Sequence, residues 1–189
     1  MPRVFLELPR LVHRSLVRHL LPRRTRLEEA AFVFARATKR RRDTVFEYVE
    51  HREVPREGFV SRHGGYLELE DSFRASLIKR AHDLAASLAE FHSHPTVSPA
   101  AFSLSDRVGF EEFVPHIQWR LQGKPYLAVV VSRSGFDALV WLSDPRTPIH
   151  MDGLLIDEKV LAPTRLTLSQ WRQFDERSAI RPQHPFLWQ

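Results

Sequence analysis

The chain contains no cysteine. That excludes disulfides, thiol nucleophiles and cysteine-type zinc fingers, and it leaves histidine and carboxylate side chains as the strong metal ligands on offer. Long apolar runs are missing as well. No stretch of about 18 apolar residues is there to cross a bilayer. Residues 1–21 are broken by Arg3, Glu7, Pro9, Arg10 and Arg14, so no signal-peptide core is present. These absences set the expectation of a cytoplasmic protein with no membrane partner. Internal repeats, low-complexity tracts and linkers are absent too, and 189 residues suit a single domain covering 1–189. With 43% apolar and 11% aromatic residues, the chain has ample material for a buried core.

Acidic residues are scarce at the start: residues 1–42 hold 12 Lys/Arg against 3 Asp/Glu, while the remainder holds 16 against 20. The overall charge of +5 is therefore an N-terminal property. Its densest part, Lys39-Arg40-Arg41-Arg42, offers a surface for phosphates or an acidic protein. It stands between two strand-like runs, however, and a solvated hairpin connection is the favoured reading. No groove-reading motif or aromatic platform accompanies it, so nucleic acid is not the expected partner.

Apolar periodicity gives an alternation of helices and strands. Leu11, Val12, Leu16, Val17, Leu20 and Leu21 recur at helical spacing up to Pro22. Ala30 to Ala35 is a continuous apolar run of buried-strand length, and Thr44 to Val49 alternates as a second strand. Gly64-Gly65 marks a turn between Phe59-Val60 and Tyr66-Leu67. Asp71 or Ser72 can cap a helix carrying the stripe Phe73, Leu77, Ala81, Leu84 and Leu88. Residues 89–95 are expected to be extended, because Pro95 disfavours helical geometry at His94. A further helix is expected from Ser105-Asp106 through Leu121, kinked or divided by Pro115. Tyr126 to Ser132 and Phe136 to Leu142 then read as a hairpin. A last strand or pair falls within Ile149 to Leu161, Thr167 caps a final helix around Trp171, and Pro182 to Gln189 is an irregular tail able to dock on the domain or a partner. Trp119, Trp141 and Trp171 sit in apolar patterns and are assigned to the core.

Two histidines at i and i+2 of a strand point the same way, so His92 and His94 can face one ion while Ser93 faces the opposite side. Asp106, 12 residues beyond His94 at the start of a helix, can return beside them as a third ligand. Three protein ligands leave a fourth tetrahedral position open, which distinguishes a catalytic zinc from a structural one. A His-x-His pair alone is weak in a chain with 10 histidines. His51, His63, His82, His116 and His150 have no partners at ligand spacing, and each is read as a surface or hydrogen-bonded histidine.

Here the pair belongs to His92-Ser93-His94-Pro95, followed by Ser103-Leu104-Ser105-Asp106. This resembles the signature of the JAB/MPN (JAMM) zinc metallopeptidases, His-x-His-Pro and then Ser-x-x-Asp. One departure is an extra residue: eight residues separate His94 from Ser103, where the family usually has seven. A loop absorbs such an insertion readily. Upstream, Leu27-Glu28-Glu29-Ala30-Ala31-Phe32-Val33-Phe34-Ala35 is similar to the family's glutamate-bearing strand, with Ala31 and Ala35 where glycine is common. The likeness runs through residues 3–142 and leaves 143–189 as an unmatched C-terminal extension.

The resemblance implies an α+β fold of MPN/JAB type, a mixed curved sheet flanked by helices in a cytidine-deaminase-like arrangement. It also implies one Zn2+ held by His92, His94 and Asp106, with Glu28 as general base, Glu29 as the alternative base and Ser103 as donor to an oxyanion. Its implied substrate is the amide bond after the C-terminus of a ubiquitin-like protein, in a conjugate or a precursor. Bacterial relatives of this kind occur beside activating-type and conjugating-type enzymes in operons, some of them antiviral, and such enzymes are the partners it suggests. The competing reading is an inactive MPN scaffold. Such relatives usually lack ligands, whereas here Glu28, His92, His94, Ser103 and Asp106 are all present.

Overall fold

The computed structural model describes residues 2–23, 26–63 and 66–180. Among them the chain runs β1 (Val4–Leu8), α1 (Arg10–Leu20), β2 (Ala30–Arg40), β3 (Asp43–Glu53), β4 (Phe59–His63), β5 (Tyr66–Leu69), α2 (Asp71–Asp83), β6 (Ser87–Ser93), α3 (Leu104–Arg120), β7 (Tyr126–Ser132), β8 (Gly135–Trp141), β9 (Ile149–His150), β10 (Gly153–Ile156), β11 (Lys159–Leu161) and α4 (Thr167–Ile180). No helix among the described residues is long and apolar enough to cross a membrane.

Nine strands form one mixed sheet in the order β11-β10-β1-β3-β2-β6-β7-β8-β9, and β4 and β5 form a separate hairpin. The β1–β10, β1–β3 and β6–β7 pairs are parallel; the other neighbours are antiparallel. The sheet curls, and helices cover both faces. On one side Phe32, Phe34 and Leu88 pack with α2, α3 and Trp171. On the other, Ala31, Val33, Ala35, Ala89 and Phe91 pack under Leu16 and Leu20 of α1. The first six residues of β2, 30–35, are apolar without a break because alternate side chains enter two different cores. Ala31 and Ala35 belong to the α1 side of the sheet, whereas Ala30 belongs to the opposite core.

Several sequence expectations need correcting. The apolar stripe assigned to one helix stops short, because α2 ends at Asp83 and Leu88 belongs to β6. Ala86 N donates to Ala81 O, Ala85 N donates to His82 O, and Ala85 takes φ +49°. This is a Schellman stop with alanine in the place usually held by glycine, so the sequence carries no breaker signal. Pro115 does not divide α3, which runs continuously from Leu104 to Arg120. Trp119 is 73% exposed and outside the core, unlike Trp141 and Trp171. Its ring instead lies beside His116 and Arg120. β3 extends beyond Thr44–Val49 at both ends, and the last strands number three rather than one or two. The Gly64-Gly65 turn and the Pro182–Gln189 tail lie outside the described residues.

Candidate metal centre

The site is built at one end of β6, where three stretches of backbone meet. Ala30 pairs with His92 in the antiparallel β2–β6 register, and Ser93 N donates to Glu29 O. Carried outward, that register sets Glu28 opposite His94. The His94 amide, one residue past the end of β6, donates to Val131 O of β7. His92 is thus held between β2 and β7, and His94 is tied to β7. Their rings lie 5.1 Å apart, and His92 also meets the edge of Phe102 at 5.4 Å.

The carboxylate arrives from the first turn of α3. Ser103 caps this helix: its hydroxyl accepts from Asp106 N at 3.1 Å, and Asp106 Oδ2 accepts from Ser103 N at 2.6 Å. This reciprocal capping box suits an acidic side chain, because the helix dipole is positive there. It also aims the carboxylate at the histidines. Asp106 Oδ1 lies 3.4 Å from His92 Nε2, and Asp106 Oδ2 lies 3.3 Å from His94 Nε2. One ligand atom from each of the three residues falls within 4.8 Å of the others.

The electrostatics are strongly coupled. Burial alone would lower the pKa of His92, but Asp106 and Glu90 outweigh it and hold it well above the ordinary histidine value. Burial would likewise raise Asp106, yet the two imidazoles hold it far below the usual carboxylate range. His92 Nε2 is buried, 3.4 Å from Asp106 Oδ1, and has no hydrogen-bond partner among the described residues, a position that costs free energy if it stays unsatisfied. Two imidazole nitrogens and a carboxylate within reach of one point form a donor set that could hold one, and that is a group met by His92, His94 and Asp106 among the described residues.

The adjacent glutamates separate clearly. Glu28 is buried, at 4% exposure, with Oε1 3.9 Å from His94 Nε2. Glu29 instead pairs with Arg62 of β4 at 2.5 Å. Of the two glutamates, Glu28 is therefore the one beside His94. Ser103 donates its hydroxyl proton to Asp106 Oδ2 at 2.8 Å, so to serve an oxyanion it must exchange that partner.

Some contributing residues are not apparent from the sequence motifs. Glu90 lies behind His92, with Oε1 3.0 Å from Nδ1, and Tyr126 donates its hydroxyl to Glu90 Oε2 at 2.7 Å. The signal was a lone acidic residue in a largely apolar strand, two positions from His92. The C-terminal extension contributes too, by seating the loop between His94 and Asp106. Thr164 Oγ1 donates to Ala100 O at 2.6 Å, Phe102 N donates to Thr167 Oγ1 at 3.0 Å, and Trp171 Nε1 donates to Phe102 O at 3.3 Å. Thr167 is therefore not the helix cap expected of it. The fully buried Asp137 of β8 plays that part, accepting from Thr167 N at 3.0 Å and from Thr167 Oγ1 at 2.6 Å. Of the histidines set aside, His51 bonds the Tyr48 hydroxyl, and His150 lies 3.6 Å from Asp137. The side chain of His63 lies outside the described residues.

No family model matches the chain, and no curated protein matches it.

Proposed function

We propose that this chain is a zinc-dependent peptidase of JAB/MPN type. The observation that carries the reading is the convergence of His92, His94 and Asp106 within 4.8 Å, with the Glu28 carboxylate 3.9 Å from His94. These are the residues that the signature resemblance selects, and a mixed sheet flanked by helices is compatible with the MPN fold. His92, His94 and Asp106 would hold the ion, and two nitrogens with one carboxylate oxygen favour zinc. Bound zinc supplies acidification of water and polarisation of an amide carbonyl.

The protein's own groups do the proton work. Glu28, largely shielded from solvent, accepts the proton of the attacking water and delivers it to the leaving amine nitrogen as the carbon–nitrogen bond breaks. Its neighbour Glu29 is removed from that task by Arg62. Ser103 fixes Asp106 through the capping box, and its hydroxyl serves the developing oxyanion when it turns from Asp106. The substrate is the amide bond after the C-terminal tail of a ubiquitin-like protein, in a conjugate or a precursor, within a bacterial conjugation system that includes antiphage defence.

The test is zinc content together with cleavage of a ubiquitin-like fusion, in wild type and in Glu28→Ala. About one zinc per chain in both proteins, with cleavage only in wild type, supports the reading. A wild-type protein that takes up no supplied zinc overturns it.

A further inference from the structure

His92 uses its two ring nitrogens differently. Nε2 faces Asp106 and His94 and is the buried nitrogen without a hydrogen-bond partner. Nδ1 faces away from them, 3.0 Å from Glu90 Oε1. Glu90 shares a face with His92 because the two are two residues apart on β6. Its neighbours Ala89 and Phe91 are buried in the opposite core, and its own carboxylate is 18% exposed. Among the described residues His92 is the ion-pair partner found for it. A carboxylate in such a place is expensive unless its oxygens are bonded, and both are. The second oxygen accepts from the hydroxyl of Tyr126, a fully buried residue of β7. Burial and the neighbouring Glu90 carboxylate keep that phenol protonated well beyond its ordinary range, so it is a permanent donor.

The consequence is tautomeric. An acceptor fixed on the Nδ1 side places the proton there and leaves the lone pair on Nε2, directed at the other two ligands. Because Tyr126 holds Glu90 from a different strand, neither the carboxylate nor the imidazole can turn independently.

We infer that Glu90 and Tyr126 are positioning residues that hold His92 as its Nδ1–H tautomer, with Nε2 presented to a divalent metal ion. The inference deepens the metal-centre reading above and rests on it. A carboxylate behind a ligating histidine fixes the ring and strengthens the nitrogen as a donor, and loss of such a partner typically weakens metal binding by about 10–100-fold.

The experiment measures zinc affinity by competition with a chelating dye, and the visible absorption of the cobalt-substituted protein, in wild type, Glu90→Gln, Glu90→Ala and Tyr126→Phe. Glu90→Gln preserves shape, so it tests the charge and the fixed acceptor even if Glu90→Ala folds poorly. The expected result is zinc binding weakened about 10-fold in Glu90→Gln and in Tyr126→Phe, and up to about 100-fold in Glu90→Ala. Folded variants should also show an altered cobalt spectrum. Variants that lose thermal stability while binding zinc within twofold of wild type, with an unchanged cobalt spectrum, overturn the positioning role and leave the metal site standing. A wild-type protein that binds neither ion overturns the metal site and this inference with it.

Discussion

Glu28 and Glu29 are chemically identical neighbours that end in different company, one beside His94 and the other locked to Arg62. Exchanging each for glutamine should separate their roles. Glu28→Gln is expected to lower cleavage by about 10²–10⁴-fold while zinc content stays near that of wild type. Glu29→Gln should leave cleavage within a few-fold and cost about 1–3 kcal/mol of folding stability in denaturant titrations, because the largely buried Arg62 loses a charged partner. The acidity of the ligands gives a second expectation. His92 has a raised pKa in the metal-free protein, so its protonated form stabilises the fold fully below the unfolded value near 6.5. That contribution disappears as pH rises through the raised value. Zinc requires the neutral ring, so its affinity should climb across the same window. Calorimetric titrations in buffers of different ionisation enthalpy should detect proton release on zinc binding at neutral pH. That His92 and His94 face the same point was legible in the sequence, because i, i+2 spacing before proline is local information. The choice between the glutamates was not, since it depends on Arg62 arriving from a distant hairpin.

At the scale of elements, the places where the sequence misleads share a physical cause. An apolar residue reports that it is buried, but not which element buries it, so Leu88 could extend the stripe of α2 on paper while lying in β6. The break between them needs a left-handed residue, and the exposed Ala85 supplies it at a steric cost. Ala85→Gly should therefore raise stability by about 1 kcal/mol, measured as a shift in the denaturation midpoint. Pro115 shows the converse: a strong breaker signal is overridden because α3 is held by Phe110, Val114 and Ile117 in the core. The loop before α3 depends on α4. Thr167→Val leaves the Phe102 amide without its partner and removes one of the two hydrogen bonds that Asp137 Oδ2 accepts, and it should cost about 1–3 kcal/mol. If the loop seats Asp106 as described, this variant should also bind zinc more weakly than wild type, although it changes no ligand.

For the whole molecule, the mixed α/β class and most of the strands could be read from period and composition, but the sheet order could not. β1 lies between β3 and β10, in parallel with both, and no local pattern records a pairing between residues near 5 and residues near 154. The N-terminal excess of positive charge is also redistributed by the fold. Arg40, in the densest basic run, bonds both Glu7 and Glu47, and Arg3 bonds Asp43. A ligand that binds only the native state stabilises it by mass action, so zinc at a thousand times its dissociation constant should add about 4 kcal/mol. Denaturant titrations with zinc and with a chelator should therefore differ by that amount, and the difference should vanish in His92→Ala.

The bonds from Thr164, Thr167 and Trp171 to the loop of Ala100 and Phe102 also carry a consequence in time. A ribosome delivers His92, His94 and Asp106 well before it delivers Trp171, so a nascent chain has all three side chains of the cluster long before it has the support beneath the loop that leads to Asp106. The support that α4 gives to the Asp106 side of this cluster is therefore the last part of it to be synthesised.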